Sequence, residues 1–127
     1  MELGKIGTAE LTVTEAVTAK AVGSGSLTVF STPHMVALME EAACRCIQDD
    51  LEDGQSSVGT KLDIAHVAAT PIGMRVRAEA KLTEVDGRKL TFAVSAYDDS
   101  GLIGKGTHER FIISTEKFLG KTYAKLG

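Results

Sequence analysis

The chain has 127 residues, 43% of them hydrophobic and 24% charged, which is enough for one domain with a core that needs no staples. A net charge of -3 and a pI near 5.6 exclude the basic footprint of a nucleic-acid or anionic-membrane surface. No apolar run approaches the ~20 residues that span a bilayer, and the start, MELGKIGTAELTV, shows no secretory signal, so a cytoplasmic protein is expected.

The first segment, Thr8 to Val22 (TAELTVTEAVTAKAV), alternates and is rich in Thr and Val, which predicts a strand. Gly23-Ser24-Gly25-Ser26 is a flexible break. Next, STPHMVALMEEAACRCI (Ser31 to Ile47) reads as a helix. Thr32 is the expected N-cap and Pro33 the first helical residue. The helix should run to about Asp50, with Gly54 just past its end. Ser56 to Thr70 reads as a second strand, closed by the turn Thr70-Pro71-Ile72-Gly73. Met74 to Val85 alternates, Asp86-Gly87 supplies a hairpin turn, and Lys89 to Asp98 alternates again. After Asp99-Ser100-Gly101 the last strand runs from Leu102 to Ile113, and the lysine-bearing TEKFLGKTYAKLG is expected to be a short tail. One helix among five strands is an α+β domain.

The central helix carries adjacent carboxylates, Glu40 and Glu41, in an apolar stretch. At ~100° per residue, Met35, Met39, Ala42, Ala43 and Cys46 form the buried stripe. Glu41 falls beside Arg45 in the favoured i, i+4 orientation and belongs to solvent. Glu40 borders the core, where a carboxylate is costly unless satisfied. It is therefore either a paired structural residue or part of a reaction.

In DIAHVA, His66 shares the apolar strand face of Leu62 and Ile64 and is aimed at the helix. A satisfied core histidine is the plain alternative, but Glu40 and His66 at one helix–sheet boundary form a usual acid–base combination. Thr32 adds a hydroxyl at the helix N-terminus, where capping alone would explain it. His34 is placed near solvent in the first turn, and His108 and Arg110 in GTHERF lie on a strand whose phase the sequence leaves open, a surface position being compatible with both. Cys44 and Cys46 point to different sides of the helix, so they form no mutual disulfide, and no second cluster completes a metal site. No metal or cofactor is expected.

The strings VFSTPHMVALMEEAAC, SSVGT, DIAHVAATPIGM and GTHERF…EKF together resemble the hotdog-fold acyl-CoA thioesterases, specifically the fluoroacetyl-CoA thioesterase group, over most of the chain. The resemblance implies a hotdog fold, one long helix wrapped by a five-stranded antiparallel sheet, working as a homodimer with paired sheets, with a tetramer left open. It implies hydrolysis of a small acyl-CoA thioester by Thr32, Glu40 and His66. It also places Gly59 at the thioester carbonyl and Arg110 among the substrate-binding groups, to which Phe30 is added as the one aromatic near the connection before the helix. That group carries an aromatic-bearing lid before its helix. The connection here is expected to be the short Gly23-Ser24-Gly25-Ser26-Leu27, which argues against a fluoroacetyl-selective gate. Lys117, Lys121 and Lys125 are read as a solvated basic tail, with the CoA phosphates as the alternative partner. A non-catalytic acyl-CoA-sensing domain on the same fold is the rival reading, and a hydratase-type hotdog a third.

Overall fold

The computed structural model describes residues Met1–Gly127. Five strands, β1 (Ile6–Thr12), β2 (Gln55–His66), β3 (Arg75–Asp86), β4 (Lys89–Asp98) and β5 (Gly101–Ser114), form one antiparallel sheet. Their order is β1-β3-β4-β5-β2, so β2 lies at an edge with β5 as its only neighbour. Besides short α1 (Ala19–Val22) there is a long helix, α2 (Thr32–Ile47), and a C-terminal helix, α3 (Thr115–Tyr123). The sheet wraps α2 in the hotdog arrangement.

Alternation builds the core. Val76, Ala78, Ala80 and Leu82 of β3, with Leu90, Phe92, Val94 and Ala96 of β4, are all buried on one face. They meet the expected stripe of α2, Met35, Met39, Ala42, Ala43 and Cys46, which Leu38 and Ile47 widen. Each large side chain so buried contributes about 1.5–3 kcal/mol. Gly7 brings β1 to backbone distance from α2, because a Cβ there would run into the Ala42 carbonyl.

Three expected elements differ. The first strand ends at Thr12, and the following residues form a 3₁₀ turn, Glu15–Val17, and then α1. Thr18 caps that helix, its Oγ1 accepting the Ala21 N–H at 3.2 Å, and Gly23 closes it at φ 78°. Local capping thus overrides the Thr/Val alternation, and the connection before α2 is a folded segment from Val13 to Ser31 rather than a short break. The second strand ends at His66 instead of Thr70. There the Val67 N–H donates to the Ile103 carbonyl, and the chain turns to pair with the pre-helix segment, Phe30 N–H donating to Thr70 O at 2.9 Å. The C-terminal tail is α3, with Glu116 in its first turn and Lys121 in its last, each matching the helix dipole.

Candidate active site

The start of α2 sets one half of the site. Ser31, fully buried, is the true N-cap: its Oγ accepts the His34 N–H at 3.2 Å and lies 2.9 Å from His34 Nδ1. Thr32 is therefore the first helical residue, and its hydroxyl is released from capping. Oγ1 lies 2.7 Å from His66 Nδ1 at the end of β2. The other imidazole nitrogen, Nε2, is buried without a hydrogen-bond partner. Burial pushes the His66 pKa below its usual 6.5, with the Ala68 backbone acting the other way. The ring is thus neutral at pH 7 and able to take up a proton. Thr32 and His66 line a cavity of about 330 Å³ whose other walls include Ala19, Val29, Phe30 and Ala68. Phe30 itself is 1% exposed.

Glu40 anchors the second half. Its Oε2 accepts a hydrogen bond from Arg110 Nη1 at 3.1 Å, and its side chain stays 36% exposed. Arg110, on β5, is nearly buried. Its Nε donates to Ser57 Oγ at 2.9 Å, its Nη2 to the Ser57 carbonyl at 3.1 Å, and Nη1 also reaches His108 Nε2 at 3.2 Å. The donors of Arg110 are turned on protein acceptors, and through Nη1 it holds Glu40. Glu41 pairs with Arg45 at 3.7 Å on the exposed face.

Gly59 belongs to the Glu40 cluster. A Cβ at this position would stand 2.6 Å from Glu40 Oε2 and 3.3 Å from both Arg110 Nη1 and His108 Cε1. The backbone reaches the carboxylate because nothing intervenes. Strict alternation would put Gly59 and His66 on opposite faces of β2. The β2–β5 register shifts between Gly59 and Lys61, so that Gly59 pairs with Arg110 and His66 with Gly104, both on the helix side. The bulge re-aims half the strand.

The two clusters are separate within one chain. Thr32 and Glu40 are ~12 Å apart along the helix axis, and Gly59 and His66 are about 20 Å apart along β2. So Thr32 meets His66, and Glu40 meets Gly59 and Arg110, but no hydrogen bond joins the two sets.

Sequence reasoning missed His108 and Ser57. His108 is fully buried, not a surface residue, and stacks near Phe92 with ring centroids 6.1 Å apart. The available signal was that His108 and Arg110 continue the inward face of Gly104 and Gly106, where polar residues need partners. Lys117 and Lys121, exposed on α3, line a separate 220 Å³ cavity with Arg88, Phe111 and Phe118, and Lys125 is not among its walls.

Comparison with known proteins places the chain in a family. The family described as fluoroacetyl-CoA-specific thioesterase matches residues 13–116. The fluoroacetyl-CoA thioesterase of Streptantibioticus cattleyicolor is 47% identical over 97 residues, covering 76% of this chain and 70% of that protein. A structure of the fluoroacetyl-CoA thioesterase FlK superposes with a TM-score of 0.93 at 39% identity, covering 98% of this chain and 97% of that one. A phenylalanine-to-alanine variant of FlK, solved with fluoroacetate and CoA, gives 0.88 at 40% identity over 93% and 99% of the two chains. A Thermus thermophilus member of the thioesterase superfamily gives 0.89 at 31% identity, covering 98% and 92%. With the family profile spanning most of the chain, the protein belongs to the fluoroacetyl-CoA-specific thioesterase family.

Proposed function

We propose that this protein hydrolyses a small acyl-CoA thioester to the free acid and CoA, as a homodimer whose two active sites are each shared between protomers. The observation that carries the reading is the division of one acid–base set into two clusters, each held ready by its own contacts. Thr32 and His66 sit at an acyl-sized cavity. Glu40 is fixed by Arg110 with its carboxylate partly open.

The unpaired edge of β2 supports the dimer. A twelve-residue edge strand is a template for pairing with a second copy. Antiparallel pairing about a two-fold axis at Asp63, with the bulge residue Thr60 left out of the ladder, sets His66 of one strand across from Gly59 of the other. That brings the partner's Glu40 to Thr32 and His66, the combination one chain does not make.

In the assembled site, Glu40 carries the attack on the thioester carbonyl carbon, directly or through a water it deprotonates. In the water route the proton taken by Glu40 passes through His66 to the thiolate as the carbon–sulfur bond breaks. In the direct route that bond breaks to leave a Glu40 anhydride, which a water deprotonated by neutral His66 then cleaves to the free acid, and His66 passes that proton to the thiolate. Thr32 orients the imidazole. The Gly59 N–H is the donor assigned to the carbonyl oxygen, a role worth about 3–4 kcal/mol where such donors have been removed. The cavity walls of Ala19, Val29, Phe30 and Ala68 suit a short acyl group, fluoroacetyl among them.

The test is free-thiol release from a panel of acetyl-, fluoroacetyl-, propionyl- and butyryl-CoA, wild type against Glu40→Gln. Release that collapses in a folded variant supports the reading. Binding of an acyl-CoA without release would move the assignment to a sensing domain.

A further inference from the structure

The substrate-facing groups leave one buried ionisable side chain unexplained. His108 lies on β5 behind Arg110, fully buried, and does not reach the cavity at Thr32. Its two nitrogens are both engaged. Nδ1 is 2.9 Å from the Lys61 carbonyl oxygen, which can only accept, so Nδ1 carries the proton. Nε2 is then the bare acceptor, and Arg110 Nη1 donates to it at 3.2 Å. The same Nη1 donates to Glu40 Oε2 at 3.1 Å.

We infer that His108 is a positioning residue of the reaction: as a neutral imidazole of fixed tautomer, it locks Arg110 so that one guanidinium nitrogen holds Glu40 in register beside Gly59. The inference rests on the thioesterase reading above, since Glu40 matters only if it enters the chemistry. Ser57 takes Nε and Nη2, which fixes the guanidinium along one edge. His108 takes the remaining direction of Nη1, so the other N–H has nowhere to point but the carboxylate. Phe92 stacks near the imidazole and holds the ring plane. Without an acceptor at His108, the guanidinium can rotate about its Ser57 contacts, and Glu40 follows it.

The Lys61 carbonyl belongs to the residue just past the β2 bulge. The bulge therefore supplies both the aim of Gly59 and the acceptor that sets the tautomer of His108. Protonation of His108 would set two cations against each other at Nη1, with Glu40 and Glu109 as the nearby anions. Function requires the neutral ring.

The experiment compares wild type, His108→Phe and His108→Gln in steady-state acyl-CoA hydrolysis, with folding followed by circular dichroism. Phe keeps the ring and loses the acceptor; Gln keeps an acceptor oxygen near the Nε2 position. The expected result is a kcat about 100-fold lower for His108→Phe, as for a carboxylate misplaced by ~1 Å. KM should stay within about 2-fold, because His108 touches no substrate. His108→Gln should recover most of the rate. A folded His108→Phe with wild-type kcat overturns the inference. Nitrogen NMR of the wild-type ring gives an activity-independent check: protonated Nδ1 and bare Nε2 at pH 7 are expected, and the opposite tautomer or an imidazolium refutes it even if His108→Phe does not fold. If wild type hydrolyses no thioester, the functional reading fails on its own, while the tautomer measurement still decides the contact network.

Discussion

Replacing Gly59 with alanine should separate catalysis from stability. The added methyl would stand 2.6 Å from Glu40 Oε2, against about 3.4 Å for an ordinary contact, so the carboxylate must retreat by about 0.8 Å. The colliding atom is the end of a flexible, partly exposed side chain, which moves more cheaply than backbone. Overpacking a rigid core costs about 1–3 kcal/mol, and the lower chain entropy of alanine returns about 0.4–1 kcal/mol. The net loss of stability should therefore stay near or below about 1 kcal/mol, a few degrees in Tm for a chain of this size. Catalysis has no such tolerance. A displacement near 1 Å from attack geometry is worth about 100-fold, and the retreat also disturbs the 3.1 Å bond to Arg110. Thermal melts and thiol release on the same preparation give both numbers. A variant with unchanged kcat would show that the contact between Gly59 and Glu40 has no part in positioning the carboxylate.

The two residues at the start of α2 should respond in opposite ways. Ser31→Ala removes the cap and should cost about 1 kcal/mol of stability. Thr32→Val, which keeps the shape and removes only the hydroxyl at His66 Nδ1, should leave the melt nearly unchanged and lower kcat by about 10- to 100-fold. Equal thermal losses in the two would contradict the assignment of the cap to Ser31. Burial depresses the pKa of both His66 and His108 from 6.5, with the Arg110 charge adding to the effect at His108. The unfolded chain thus takes up protons first as pH falls. The stability owed to these neutral rings is fully present above about pH 6.5 and is lost as pH drops through the lower folded-state values. Urea midpoints between pH 7.5 and 5 should fall, and the fall should be shallower in His108→Gln. A flat profile in wild type would mean that both rings accept protons as freely folded as unfolded.

The strands β3 and β4 and the helix α2 were legible in the sequence because each has an unbroken period: Val76 to Leu82, Leu90 to Ala96, and Met35 to Ile47. Glu40 was legible for the same reason, as the carboxylate whose helical phase sets it at the border of the apolar stripe. Where the period breaks, reading failed. The register of Gly59 depends on a single inserted residue that alternation does not reveal. Thr14 to Val22 alternates like a strand but is drawn into a turn and helix by the Thr18 cap, and the supposed short connection before α2 disappears with it. The phase of His108 and Arg110 stays open in the sequence because their partners, Lys61 and Ser57, lie on another strand, about fifty residues earlier in the chain. Thr32, Glu40 and His66 were selected as one group, yet their division between two places became visible only with the strand and helix spacings in hand.

Mixing two inactive proteins decides whether that division places each active site between two protomers. Glu40→Gln and His66→Ala are each expected to be inactive alone. If each site takes Glu40 from one protomer and His66 from the other, a heterodimer of the two variants contains one intact site and one doubly damaged site. Subunit exchange of equal amounts should then restore about a quarter of wild-type activity, by random pairing of two-fold dimers. If Glu40 and His66 act within one chain, every site in the mixture carries a lesion, and the mixture should stay as inactive as its parents.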